Sequence, residues 1–160
     1  KGKTSAAMGT ALRALGHGGK VHVVYFMKGG SPSSEQVALG RLPNITFSRF
    51  GPARYVDPEN VTPEDKEEAL KSLSAAYDAV MSGNYDLVIL DEVNVAVAWG
   101  LVGIDGIVEL IDKKPAHVDL IFTGRYADQR LIDQADLVTE MQEIKHPYAS
   151  GSPAKRGIDY

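Results

Sequence analysis

The sequence contains no cysteine, which excludes disulfide bridges and thiolate metal sites. It also has no apolar run approaching the ~20 residues that a membrane-spanning helix needs, and no signal peptide is recognisable. The formal net charge is −4, whereas domains that bind nucleic acid usually carry a strongly basic surface. These absences predict a cytoplasmic domain that binds neither membranes nor nucleic acid.

What is present is the composition of an ordinary globular domain. Hydrophobic residues make up 44% of the 160 positions and charged residues 24%, which is enough apolar material for a sizeable core. We therefore predict a single domain over residues 1–160. Its last part, residues 144–160, has the composition of a loop and is predicted to be a tail laid over the domain.

Strand and helix patterns alternate along the chain. An apolar-periodic helix follows residues 1–5, and a long helix is predicted to begin at Thr62-Pro63, with the threonine as its cap. Apolar stretches predict strands within residues 20–29, 45–50, 85–94 and 117–125, and a last strand at residues 135–141, "ADLVTEM". This alternation predicts a mostly parallel sheet covered by helices on both faces.

The first residues form the end of a phosphate-loop signature. Gly2-Lys3-Thr4-Ser5 matches the tail of G-x-x-x-x-G-K-[ST] and runs directly into a helix. Backbone amides at a helix start and a lysine bind anionic oxygens, and the hydroxyl of Thr4 can reach Mg²⁺. The front of the loop and the strand that normally precedes it would lie upstream of Lys1. Because so short a motif also occurs by chance, it indicates a nucleotide site only if a second half of that site is found elsewhere in the sequence.

Acidic and basic residues at later strand ends supply that second half. Asp91 and Glu92 end a buried apolar strand, where Asp91 is predicted to meet Mg²⁺ and Glu92 the nucleotide, unless both are simply solvated acids. Arg125 ends the next strand on the same edge, where it either reaches a phosphate or lies on the surface. Arg13, on the first helix, faces phosphate or solvent.

Two further residues have alternative interpretations. His146 is either a ligand or acid–base group or, more simply, a structural loop histidine, since it has no partner at ligand spacing. Trp99 is a core residue or a pocket wall. The sequence shows no convincing Ser/His/Asp or Cys/His set for nucleophilic catalysis.

Taken in order, these motifs resemble those of the ATP:corrinoid adenosyltransferases. The resemblance covers the whole chain and includes "KGKTSAAMGTALRALGHG", "YDLVILDEVNVAVAWGLV", "KPAHVDLIFTGRYADQRLIDQADLVTEM" and "KHPYASGSPAKRGIDY". It implies a RecA-like phosphate-loop sandwich of three layers that moves the 5′-deoxyadenosyl group of ATP to the cobalt of a corrinoid and releases triphosphate. It also implies a homodimer that works with an electron-donating flavoprotein reductase.

The resemblance assigns roles to individual residues. It implies that the nucleotide and Mg²⁺ are held by the residues already singled out: Gly2, Lys3, Thr4, Ser5, Arg13, Asp91, Glu92 and Arg125. The corrinoid candidates are Phe50, Tyr55, Asn94, Trp99 and His146. Many relatives carry two aromatic residues that displace the lower corrinoid ligand, where this sequence has Arg54 and Val56. Phe50 and Tyr55 are therefore predicted as substitutes.

Two other functions remain open from the sequence. One is an ATPase or kinase in which Glu92 orients water or an acceptor hydroxyl for attack on the γ-phosphate. The other is a non-catalytic carrier that binds nucleotide and corrinoid without turnover. Triphosphate as the product would distinguish adenosyl transfer from phosphoryl chemistry, and any turnover would exclude the carrier.

Overall fold

A computed structural model of the chain describes residues 1–158. Four parallel strands form one sheet in the order β2-β1-β3-β4. The strands are β1 (Val21–Tyr25), β2 (Ile45–Arg49), β3 (Leu87–Asp91) and β4 (Asp119–Phe122). The α-helices are α1 (Lys3–Gly16), α2 (Ser34–Leu39), α3 (Pro63–Met81), α4 (Val93–Ala98), α5 (Ile104–Lys113) and α6 (Gln129–Gln134), followed by a 3₁₀ turn at Pro147–Ser150. The predicted α/β class is confirmed.

Helices cover both faces of this sheet. Every residue of the central strands β1 and β3 is buried, as a parallel sheet between two helical layers requires. On one face, α1 packs Ala7, Met8 and Ala11 against the sheet. On the other, α3 and α5 enclose the larger hydrophobic cluster. This three-layer arrangement is consistent with the predicted phosphate-loop sandwich.

The register of the sheet brings several strand ends to one edge. Tyr25, the last residue of β1, pairs with Arg49 of β2 on one side and with Asp91 of β3 on the other. Because all strands run in the same direction, the loops that follow them emerge together. Charged residues from distant parts of the sequence therefore meet at this edge.

The start of α3 follows the predicted capping chemistry. The Thr62 hydroxyl accepts a hydrogen bond from the Asp65 amide at 3.2 Å, and Asp65 accepts one from the Thr62 amide at 2.9 Å. Pro63 occupies the first helical position, where its missing N–H costs nothing. The cap matters for the site because Arg54, in the loop before the helix, also bonds Asp65 at 2.8 Å.

The predicted last strand at residues 135–141 is wrong, and the helix α4 was not predicted. Residues 135–141 contain no strand, and Leu137 and Val138 are 84% and 55% exposed. An apolar run becomes a strand only where it finds a hydrogen-bonding neighbour, and within the described chain β4 pairs with β3 alone. None of the described helices is long and apolar enough to cross a membrane.

Candidate functional site

A cavity of about 1300 Å³ opens at the edge where the strands end. The start of α1, the loops after β1 and β2, and the residues that follow β3 and β4 all contribute to its wall. Gly157 and Ile158, near the end of the described chain, also line it. The cavity is large enough for a drug-sized ligand and more.

The start of α1 forms one end of this cavity. Gly2 precedes the helix with φ 98°, a left-handed conformation that favours glycine, and no side chain caps the first turn. The first-turn amides of Lys3, Thr4 and Ser5 therefore lack a capping side chain, and all three residues line the cavity. Uncapped amides, the helix dipole and a lysine together attract an anion.

Asp91 lies just below the cavity and is held by two neighbours. Its side chain is completely buried, and its Oδ2 lies 2.5 Å from Lys28 Nζ. Its Oδ1 accepts a hydrogen bond of 2.7 Å from the Thr123 hydroxyl. The Thr123 oxygen in turn accepts one of 3.0 Å from the Glu92 amide. This chain of contacts joins the ends of β3 and β4.

Glu92 occupies an unusual backbone conformation at the wall of the cavity. Its φ of 65° is left-handed, which is uncommon for a residue with a side chain and costs free energy unless the surroundings hold it. Burial, and after it the charge of Asp91, raises the pKa of the Glu92 carboxyl, while Lys28, Lys3 and Arg125 oppose the rise. Three cations thus act electrostatically on one half-buried carboxylate.

The cavity is the basic part of an acidic chain. Its described lining includes six basic side chains and two acidic ones. The basic residues are Lys1, Lys3, Lys28, Arg49, Arg54 and Arg125, and the acidic ones are Glu35 and Glu92. The whole chain carries a formal charge of −4. A concave surface of opposite sign raises the local concentration of an anionic ligand, so the cavity favours a polyphosphate.

Two aromatic rings meet in another part of the lining. Tyr55, in the loop after β2, contacts Trp99 at the end of α4 edge to face, with ring centroids 6.1 Å apart. Tyr55 is 78% exposed, so most of its ring is open to a ligand. A flat apolar surface of this kind suits a large planar molecule.

The loop that carries Tyr55 is fixed on both sides. Gly51, with φ 123°, packs so tightly against the backbone of Met27 that a Cβ there would lie 2.7 Å from its Cα. Arg54 is tied to Asp65 at the start of α3, and Val56 is buried in the core. The two residues that depart from the family pattern, Arg54 and Val56, therefore anchor the loop.

Some predicted site residues do not reach the cavity. Arg13 is exposed in the last turn of α1, ten residues or about 15 Å from Lys3 along the helix. Asn94 is buried, and its Oδ1 has no hydrogen-bond partner. Phe50 is half-buried, and its backbone forms hydrogen bonds with the backbone of Tyr25 and Lys28. His146 caps the 3₁₀ turn by accepting a bond from the Tyr148 amide at 3.0 Å.

Of the basic lining residues that the sequence analysis did not predict, two lie at or just after strand ends. Lys28 follows β1 and Arg49 ends β2. Arg49 donates to the carbonyl oxygens of Lys28, Gly30 and Ser31 and so fixes the turn that carries Lys28. The rule that singled out Asp91, a charged residue at the carboxyl end of a parallel strand, would have found both.

The donor set near Asp91 fits a magnesium ion only in part. No three His, Cys, Asp or Glu side chains within residues 1–158 come together as a metal site. Mg²⁺ usually takes one or two protein ligands and completes its shell with waters and phosphate oxygens. Thr4 and Glu92 line the cavity and present oxygen donors, whereas both oxygens of Asp91 are engaged. The arrangement fits an ion held mainly by nucleotide phosphates.

The fold and this basic cavity at a helix start define a phosphate-loop type of α/β protein. The family model of the ATP:corrinoid adenosyltransferases BtuR/CobO/CobP matches residues 1–160. The chain belongs to this family. Residues 159–160, which end its C-terminal motif, lie outside the described part of the structure.

Individual relatives are similar to this chain over all or nearly all of its length. A corrinoid adenosyltransferase of Pseudomonas aeruginosa is 34% identical over 100% of this chain and 79% of its own length. One from Escherichia coli K12 is 34% identical over 100% of this chain and 81% of its own length. A protein of Nostoc sp. is 36% identical over 94% of this chain, which spans 43% of that protein.

Proposed function

We propose that this chain transfers the 5′-deoxyadenosyl group of ATP to the cobalt of a corrinoid and releases triphosphate. The observation that carries the proposal is the family match over residues 1–160. It makes the protein an enzyme of the transferase class whose substrates are ATP and a corrinoid. The ATPase or kinase and the carrier that the sequence left open are not favoured by these relatives.

The reaction at carbon 5′ needs no nucleophile or base from the protein. Cobalt reduced to Co(I) is itself the nucleophile, so the cobalt–carbon bond forms as the bond from carbon 5′ to the triphosphate oxygen breaks. The electron pair of the broken bond leaves with the triphosphate, and no protein base is needed. The protein must position both substrates and neutralise the leaving group.

We assign the leaving triphosphate to the start of α1. Gly2, Lys3, Thr4 and Ser5 line one end of the cavity, and Glu92 and Arg125 line it as well. Uncapped amides and cations stabilise the charge that develops on the departing oxygens. Arg13 belongs to the same proposal only if the nucleotide extends along α1, since the residue lies far from Lys3.

We propose that Mg²⁺ accompanies the nucleotide, where it would neutralise phosphate charge. Thr4 would hold the ion together with phosphate oxygens. Asp91 would support this end of the site from behind the cavity wall, where it contacts Lys28 and Thr123.

We assign the corrinoid to the aromatic part of the cavity. Tyr55 and Trp99 line it and contact each other, so they carry this assignment. Phe50, Asn94 and His146 belong to the same proposal, although none of the three lines the cavity. The ring of Tyr55 would cover the lower face of the cobalt and keep water away from it.

Three further features complete the proposal. A corrinoid that arrives oxidised must receive electrons, so we propose a flavoprotein reductase as the partner. We also propose a homodimer, a single domain over residues 1–160 and a cytoplasmic location, which fits a chain without cysteine.

One assay tests the reaction. The protein is incubated with ATP, Mg²⁺ and chemically reduced cobalamin, the absorbance change of the corrinoid is followed, and the phosphate products are separated. We expect an adenosylated corrinoid and triphosphate in equal amounts. ADP with inorganic phosphate would instead identify phosphoryl chemistry, and binding without turnover would identify a carrier.

A further inference from the structure

Lys28 holds a buried carboxylate that has one other side-chain partner. Asp91 is fully buried, whereas Lys28 is 32% exposed and lines the cavity. A buried carboxylate without a cation or several hydrogen bonds is strongly unfavourable. The ammonium of Lys28 at 2.5 Å satisfies one oxygen, and the Thr123 hydroxyl at 2.7 Å satisfies the other.

The position of Lys28 is itself fixed by its surroundings. Its amide donates to the Phe50 carbonyl at 3.0 Å, and its carbonyl accepts from Arg49 at 2.5 Å. Its Nζ lies 5.5 Å from the centre of the Tyr25 ring, within the range of a cation–π contact. The backbone, the ring and the carboxylate all favour the same side-chain position.

Asp91 passes this restraint on to Glu92. Asp91 orients the Thr123 hydroxyl, whose oxygen accepts the Glu92 amide at 3.0 Å. That bond supports the left-handed conformation of Glu92, with φ 65°, which costs free energy unless its surroundings hold it. Lys28 therefore acts on the cavity wall through Asp91 and Thr123.

We propose that Lys28 is a positioning residue of the nucleotide site whose ammonium is the permanent cation of Asp91. Asp91 then shapes the turn at Glu92 and does not bind a metal ion directly. The inference rests on the proposed function, which makes this part of the cavity a nucleotide site. Its tests use neither corrinoid nor turnover, so a failed adenosylation assay would leave their results interpretable.

The first test measures Mn²⁺ binding to the protein without nucleotide, from the electron paramagnetic resonance signal of the free ion. In Lys28→Met, Asp91 and Glu92 are adjacent carboxylates without their nearest cation. We expect this variant to bind Mn²⁺ at least about tenfold more tightly than the wild type. In Lys28→Met/Asp91→Asn the gain should disappear, because the carboxylate that recruits the ion is gone.

A matched control removes a lysine elsewhere. Lys66 lies exposed on α3, and Lys66→Met should leave Mn²⁺ affinity within about twofold, since distant surface charges are screened. Equal Mn²⁺ affinity in the wild type and Lys28→Met would overturn the proposal. Persistence of the gain in the double variant would also overturn it, because the ion would then not be at Asp91.

A second measurement uses the wild-type protein and does not depend on how Lys28→Met folds. An ammonium held by a fully buried carboxylate exchanges its protons more slowly than a free one and can give a ¹⁵Nζ–¹H nuclear magnetic resonance signal. The signal of Lys28 is identified as the one that is absent from Lys28→Arg. We expect that signal to persist when Mg²⁺ and an unreactive ATP analogue saturate the protein. Its loss would show that the ion displaces Lys28 from Asp91 and would overturn the proposal.

Discussion

Tyr55 and Trp99 contact each other edge to face, with their ring planes at 73° and their centroids 6.1 Å apart. The contact joins the loop after β2 to the end of α4, two segments more than forty positions apart in the sequence. Trp99 is half-buried, whereas Tyr55 is 78% exposed. Trp99 thus supports a ring whose other surface is free for a ligand.

This contact leads to a prediction about the oxidation state of the substrate. Four-coordinate cobalt requires an apolar group where the lower ligand was, because water there would bind the metal again. Tyr55→Ala should therefore slow adenosylation of cob(II)alamin under a mild reductant. It should hardly change ATP binding or the reaction of corrinoid already reduced to Co(I).

The matched comparison is Tyr126→Ala. Tyr126 also lines the cavity and is 67% exposed, but it contacts no ring in the described structure. Phe50→Ala should have a smaller effect than Tyr55→Ala, because Phe50 does not line the cavity. If Tyr55→Ala reduced both reactions equally, the residue would serve corrinoid docking alone. If it reduced neither, the role assigned to this loop would be wrong.

A second prediction concerns the packing of the two loops beside the cavity. Gly51 has φ 123°, and an added Cβ would lie 2.7 Å from Met27 Cα and 2.8 Å from its carbonyl carbon. Neither the strain nor the clash can be relieved by a side-chain rotation, so Gly51→Ala should lower the free energy of unfolding by about 2 kcal/mol or more. Urea denaturation followed by circular dichroism measures this loss.

Gly30→Ala is the control for this substitution. An added Cβ at Gly30 would meet only the Ala53 carbonyl oxygen at 3.8 Å, an ordinary contact. We expect its unfolding free energy to stay within about 0.5 kcal/mol of the wild type. Equal stability of the two glycine variants would contradict the tight packing at Gly51.

The sequence predicted the regular elements well because their signals are local. Thr62 and Pro63 mark the start of α3 through chemistry confined to one helical turn, and the structure confirms it. The prediction of a strand at residues 135–141 failed because a strand forms only beside a hydrogen-bonding neighbour, which the apolar pattern of the segment itself does not reveal. The helix α4 begins at a left-handed Glu92, a conformation that residue type alone does not indicate.

The candidate site was predictable to the extent that a motif or a strand end marked it. The start of α1, Glu92 and Arg125 were found in this way and do line the cavity. The contact of Lys28 with Asp91 was not found, because the two residues lie 63 positions apart and meet only through the pairing of β1 with β3. The sequence shows the charge of each residue, but it does not show that the two residues contact each other.

A third prediction follows from a buried histidine in β1, His22, which lines a pocket beside α3. The His22 side chain is 7% exposed. Its Nδ1 lies 2.7 Å from the Thr46 hydroxyl and its Nε2 lies 3.0 Å from the Ser48 hydroxyl. The centre of its ring lies 5.0 Å from the centre of the Tyr85 ring. Burial lowers the pKa of His22 below its usual 6.5. The unfolded chain therefore binds a proton at a higher pH than the folded protein does.

The sign of the pH dependence follows from this difference. At pH values well above 6.5, His22 is neutral in both the folded and the unfolded protein and does not change the free energy of unfolding. As the pH drops from 6.5 towards the lower folded pKa, the unfolded chain binds the proton first, so the folded protein loses stability. Asp78 lines the same pocket as His22. We expect His22→Asn to flatten the fall in urea midpoint between about pH 7.5 and 5.5, and His17→Gln, at an exposed histidine, to leave it unchanged. A fall that is as steep in His22→Asn as in the wild type would exclude His22 as its source.

The last prediction tests the start of α1. Lys3 follows the left-handed Gly2, lines the cavity and acts electrostatically on Glu92. Because its charge would stabilise the leaving triphosphate most in the transition state, Lys3→Ala should lower kcat/KM for ATP by a factor of about a hundred or more, roughly 2.7 kcal/mol. Lys20→Ala, at an exposed position beyond the other end of α1, should stay close to the wild type. The measurement is the rate of adenosylation of pre-reduced corrinoid at varied ATP. A value for Lys3→Ala within about threefold of the wild type, roughly 0.7 kcal/mol, would remove the triphosphate from this end of the cavity.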